Sequence, residues 1–140
     1  MKRILKRQVL TLAAGVITAT TFSITVFAGS AGASISASDK SASTAVLGNT
    51  TGTYRYVVSN GTTSKYSIEG YLYKGKTDAS INTQAKKVTV GIGDVYADNI
   101  TVNKDTYTVA QAKIYGNAKS NKKTGCIAAT IISNKWFLIK

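Results

Sequence analysis

Through much of the chain apolar and polar residues alternate with a period of two, the spacing of a half-buried β-strand. Lys87-Val88-Thr89-Val90-Gly91-Ile92-Gly93 is the clearest instance, with Val88, Val90 and Ile92 on one face. Lys65–Lys74 repeats the pattern, placing Tyr66, Ile68, Gly70 and Leu72 opposite Ser67, Glu69, Tyr71 and Tyr73. Asn99–Asn103 is a shorter version. Ile127–Ile132 is apolar on both faces, as a central strand is, and Trp136–Ile139 reads as a closing strand. In Thr106–Tyr115 the apolar phase slips between Val109 and Ala110, which predicts a β-bulge.

Turn chemistry falls between these segments. Asn60-Gly61 tolerates the positive φ of a tight reverse turn and predicts a hairpin joining Tyr54–Ser59 to Lys65–Lys74. The polar run Ser120–Gly125 predicts a second hairpin loop, between Thr106–Tyr115 and Cys126–Ser133. A helical period is absent beyond the N-terminus. About seven short strands with turns between them predict an all-β fold, a small antiparallel β-sandwich.

The N-terminus breaks the alternation and reads as an export signal, a helical signal peptide ahead of the sandwich. Met1–Arg7 carries Lys2, Arg3, Lys6 and Arg7, and no charged residue follows from Gln8 to Ser38. Val9–Phe27 is largely apolar, diluted by threonine and serine, and ends in the small-residue run Ala28-Gly29-Ser30-Ala31-Gly32-Ala33. Signal peptidase reads small side chains at two positions. Ala31-Gly32-Ala33 fits and places the cut after Ala33, with Val26-Phe27-Ala28 as a second site. Retention as a membrane anchor is the competing reading, since the uncharged stretch exceeds the roughly 20 residues that cross a bilayer. On the preferred reading, residues 1–33 are the signal, 34–44 a flexible Ser/Ala-rich leader and 45–140 a single sandwich domain, secreted or held at the cell surface.

Charge then narrows the class of partner. Removing the four basic residues of Met1–Arg7 from the chain's eighteen leaves fourteen against six acids, a net +8 outside the cell. Such a domain attracts anionic cell-wall polymer, acidic polysaccharide or a membrane surface, and nothing in the sequence specifies a nucleic acid. The lone cysteine, Cys126, lies in an apolar run and reads as a buried thiol in a monomer, with a Cys126-linked dimer as the alternative.

Catalytic chemistry finds little footing. The chain has no histidine, which removes the usual general base and the commonest metal ligand. Ser120-Asn121-Lys122-Lys123 and Lys123-Thr124-Gly125 match two motifs of penicillin-recognising enzymes, but here they share Lys123 on one turn. Asp94 and Asp98 lie close together without the spacing of a calcium loop. No catalytic residue, metal site or cofactor is expected.

Tyrosine is the positive feature. All eight follow the signal segment; Tyr71 and Tyr73 share a face, and Tyr54 and Tyr56 flank Arg55. A flat ring with a polar tip suits stacking on sugars or sitting at an interface. The candidate binding residues are therefore Tyr71, Tyr73, Lys74 and Lys76, then Arg55 and Trp136. The function expected is a secreted, non-catalytic basic β-domain that associates with the cell envelope or another anionic surface. The alternative is a secreted antimicrobial or toxin-like effector acting on target-cell envelopes.

Overall fold

A computed structural model describes residues 29–134 of the chain. The body of the export segment and the expected closing strand Trp136–Ile139 lie outside the described residues. Within them are nine strands: β1 Ser30–Ile35, β2 Ser41–Ser43, β3 Leu47–Gly48, β4 Thr53–Asn60, β5 Ile68–Gly75, β6 Thr83–Val90, β7 Val95–Thr101, β8 Val109–Gly116 and β9 Ala128–Ser133. Single 3-10 turns at Asp78–Ser80 and Lys119–Asn121 complete the elements.

The strands form two antiparallel sheets. One has the order β1-β9-β4-β7; the other has the order β2-β8-β5-β6, with β3 also paired to β8. β2 and β3 bind the two halves of β8 and act as one interrupted edge strand. Thr44 bridges the interruption: its N–H donates to the Ala112 carbonyl, and its Oγ1 accepts from the Ala112 N–H. Counted that way, the sheets run first-eighth-third-sixth and second-seventh-fourth-fifth, the double Greek key of a jelly roll. The protein is an all-β sandwich with more strands than the seven expected.

Alternation explains the core. Tyr54, Tyr56 and Val58 of β4 meet Ile68 and Leu72 of β5, Ala110, Ala112 and Ile114 of β8, and Ile132 of β9, all fully buried. Tyr54 and Tyr56, which flank Arg55 in the sequence, are thus core side chains. Gly70 lets the sheets close over them, since a Cβ there would lie 2.7 Å from the Tyr56 hydroxyl and 2.8 Å from Val58 Cγ2.

Both expected hairpins are inter-sheet arches instead. β4 and β5 lie in different sheets, and so do β8 and β9. Asn60 is fully buried, and its Nδ2 donates to the carbonyls of Tyr66 (3.0 Å) and Val90 (3.1 Å). Neither Asn60 nor Gly61 adopts positive φ. The Gly61 N–H donates to the Ile127 carbonyl at 2.7 Å, and Lys65 N–H donates to Gly125, so the two arches close on each other. Among the described residues β5 and β6 are the consecutive pair that forms a true hairpin. The expected bulge at Val109 is also displaced: β8 begins there and pairs with β5 without a shift, while the irregularity falls opposite β6, between Leu72 and Tyr73.

The span expected to be a flexible leader, 34–44, holds the end of β1 and the whole of β2. Cys126 is buried, and its thiol approaches the Tyr66 carbonyl at 3.4 Å, so a Cys126-linked dimer would first require the core to open. Among the described residues no helix is long and apolar enough to cross a membrane.

Candidate functional site

The outer face of the five-stranded sheet gathers cations around aromatic rings. Because Ile68 and Leu72 point inward, Glu69, Tyr71 and Tyr73 point out. Strand register then fixes their neighbours. Lys113 of β8 and Lys87 of β6 flank Tyr71, and Tyr115 and Thr89 flank Glu69.

The three tyrosines pack as a unit. Tyr71 and Tyr73 stack with centroids 5.6 Å apart and planes 8° from parallel, and Tyr115 meets Tyr71 edge-on at 5.6 Å. Ile81 closes one side of the cluster. Four lysines cover the rings. The Lys119 ammonium lies 5.3 Å from the centroids of both Tyr71 and Tyr73; Lys87 lies 5.9 Å from Tyr71, Lys113 5.6 Å from Tyr73 and Lys122 5.7 Å from Tyr115. All fall within the roughly 6 Å at which a ring face attracts a cation, an effect worth about 0.5–1 kcal/mol at an exposed site.

Glu69 ties this face together. Its Oε1 accepts from the Tyr71 hydroxyl (2.9 Å) and from the Lys119 N–H (2.7 Å), and Oε2 pairs with Lys87 Nζ at 3.3 Å. The Lys119 contact anchors the 3-10 turn Lys119–Asn121 over the sheet. Burial pushes the Glu69 carboxyl up, but the Lys119 N–H, the Tyr71 hydroxyl and Lys87 together outweigh it and hold the group below its ordinary range. Lys119 Nζ donates to the Tyr73 hydroxyl at 2.8 Å, which raises the lysine's pKa. Burial, with the Glu69 carboxylate beside it, raises the Tyr71 hydroxyl to about 12. Near neutral pH Glu69 is therefore a carboxylate and Tyr71 a neutral phenol.

The expected binding residues separate. Tyr71 and Tyr73 stand at the centre of this face, yet they are only 5% and 8% exposed. They serve as a platform under the lysines and present little free ring to a sugar. Lys74 follows them on β5 and turns to the other side, its ammonium 4.4 Å above the Tyr107 ring. Lys76 is exposed beyond the end of β5, where its carbonyl accepts from Thr108 Oγ1 at 2.6 Å. Arg55 belongs to the other sheet, where it is 4% exposed and desolvation lowers its pKa. Trp136 lies outside the described residues, and Ala33 sits within β1.

Sequence reasoning missed Glu69 as an anchor, together with Lys113, Tyr115, Lys119 and Lys122. A signal existed in part, since Tyr71 and Glu69 fall on one side of a visible alternation. Which strand would supply the neighbours depended on register.

No family model and no curated protein matches the chain. Among solved structures it is similar to the K1 cleaved adhesin domain of Lys-gingipain from Porphyromonas gingivalis W83, at TM-score 0.46 and 12% identity, covering 69% of this chain and 63% of that one. It is also similar to the subunit of disulfide-linked pili that form Bacillus endospore appendages, at TM-score 0.44 and 14% identity over 79% of this chain and 96% of that one. A chain of rhinovirus-B5 is similar at TM-score 0.38 and 14% identity, over 64% of this chain and 50% of that one.

Proposed function

We propose that the protein is an exported, non-catalytic sandwich that holds anionic polymer of the cell envelope against the lysine face of its five-stranded sheet. The observation that carries this reading is the disposition of Lys87, Lys113, Lys119 and Lys122 around Tyr71, Tyr73 and Tyr115. Lysine is a mobile, hydrated point charge, and ordering it on binding costs entropy. Ring faces below the ammonium groups restrict that freedom beforehand. A polyanion laid across the sheet meets several cations already gathered, and Glu69 is held back by three donors.

The charge of the whole domain supports attraction from a distance, and the face supplies the landing place. Stacking on sugars has less support than the sequence suggested, because the rings are covered. The effector reading draws on the export signal, the small basic β-domain and the aromatic C-terminus together, and the last of these lies outside the described residues.

Retention of the exported protein on isolated bacterial cell walls and on anionic vesicles, at low and high salt, tests the proposal. The comparison is a quadruple variant carrying Lys87→Gln, Lys113→Gln, Lys119→Gln and Lys122→Gln. Wild-type retention should fall with salt, as exposed charge pairs do. The variant should bind roughly tenfold more weakly at low salt, since electrostatic steering and focusing are lost. Equal retention of both proteins would overturn the assignment of the face, and vesicle leakage would favour the effector reading instead.

A further inference from the structure

We infer that signal peptidase cuts this chain between Ala28 and Gly29, so that the mature protein keeps the whole of β1. The inference rests on the export reading above and concerns where processing falls. β1 pairs with β9 over six positions, from Ser30 opposite Ser133 to Ile35 opposite Ala128. Ala31 is 4% exposed and Ile35 fully buried, so both ends of the strand contribute to the core. The Asn134 N–H donates to the Gly29 carbonyl at 2.9 Å, which adds one more rung beyond the strand.

A cut after Ala33 would remove Ser30, Ala31, Gly32 and Ala33, four of the six paired positions, together with Gly29. It would take Ala31 out of the core beside Ile132, which is fully buried. It would also turn most of β9 into a sheet edge. β9 reads Ala128-Ala129-Thr130-Ile131-Ile132-Ser133, apolar and uncharged, and such an edge recruits other chains when its backbone groups go unpaired. A cut after Ala28 avoids every one of these losses. Gly29 becomes the first residue, and its carbonyl keeps the bond from the Asn134 N–H.

The sequence satisfies the enzyme at this point. Ala28 puts a small side chain at the position next to the cut and Val26 a short aliphatic one at the other position read by the peptidase pocket, and the apolar stretch ends at Phe27, one residue before Ala28. The reaction is hydrolysis: the Ala28 carbonyl carbon to Gly29 nitrogen bond breaks and one water is consumed. A carboxylate forms on Ala28 and an ammonium on Gly29.

Expression of the full chain in a bacterium with an intact secretory pathway, followed by intact mass and N-terminal sequencing of the exported protein, decides the matter. The expected product is residues 29–140, beginning Gly29-Ser30-Ala31. A product beginning at Ser34 overturns the assignment and leaves export standing. An uncut chain remaining in the cytoplasm overturns both. The variants Ala28→Leu and Ala33→Leu give a readout that does not depend on folding: the first should abolish the Gly29 terminus and the second should preserve it. The reverse pattern would place the cut at Ala33.

Discussion

The two outer faces of the sandwich share one pleated geometry and differ in what fills it. Across the four-stranded sheet one row reads Gly32, Ile131, Val57 and Ala97; across the other it reads Ser43, Lys113, Tyr71 and Lys87. The residue at each centre, Val57 or Tyr71, is 5% exposed. Equal burial has different causes. Val57 packs with Val95, Ala97 and Ile131, whereas Tyr71 lies between neighbouring rings and lysine stems that keep their ammonium groups in water. Surface covered by charged stems remains a surface for ligands, while surface covered by short apolar groups behaves as core.

The sharpest way to break this comparison is to put a charge at the apolar centre. Val57→Asp places a short carboxylate among Val95, Ala97 and Ile131, where it cannot reach water as a lysine could. The expected loss is on the order of 3 kcal/mol, the cost of burying an unpaired charge that has partly relaxed. Thermal unfolding followed by circular dichroism should show a midpoint lower by about 13 °C for a domain of this size. A midpoint within about 2 °C of wild type, on that same scaling, would show that both faces are open to solvent and that the contrast drawn here is wrong.

Much of this contrast was legible at the level of single strands and illegible between them. Alternation over Lys65–Lys74 separated Ile68, Gly70 and Leu72 from Glu69, Tyr71 and Tyr73, and the structure keeps that division. Apolar residues on both faces of Ile127–Ile132 marked a central strand, and β9 runs between β1 and β4. Local turn chemistry misled at Asn60-Gly61, because a buried asparagine can clamp an arch as well as close a hairpin. The choice is made by partners distant in sequence: Val90 and Ile127 accept the bonds, and no local propensity encodes them. The same reason hid the candidate site. Lys113 and Tyr115 reach β5 only through register, and Lys119 through a turn anchored on Glu69.

A milder perturbation sharpens the comparison from the other side. Exchanging Lys87, Lys113, Lys119 and Lys122 for glutamine changes the chemistry of the polar face and leaves its rings in place. Stability should move by less than about 1 kcal/mol, since exposed ion pairs and ring contacts of this kind are individually small and the variant also relieves repulsion among the lysines. Unfolding by urea would measure it. A loss as large as that expected for Val57→Asp would mean that the lysines hold the sheet together, and their effect on retention would then no longer report a binding face.

An effect of similar size, and one that depends on pH, comes from the anchor beneath the lysines. Glu69 accepts from Tyr71 and Lys119 and pairs with Lys87, so Glu69→Gln should cost about 1 kcal/mol at pH 7, the scale of one hydrogen bond to a charged group after its replacement by a weaker one. The folded protein holds this carboxyl below its usual value of 4.5. Its contribution is therefore complete above that value and disappears as the pH falls through the lower, folded one. Wild type and Glu69→Gln should differ in urea midpoint at pH 7 and converge as the pH falls below 4.5. Asp39, also held below its ordinary value by the Ser36 N–H and hydroxyl, is common to both proteins and cancels in the difference. A gap that persists unchanged at low pH would show that Glu69 acts through shape alone. In that case the lysine face would be assembled by packing on Tyr71, and its order would survive acid.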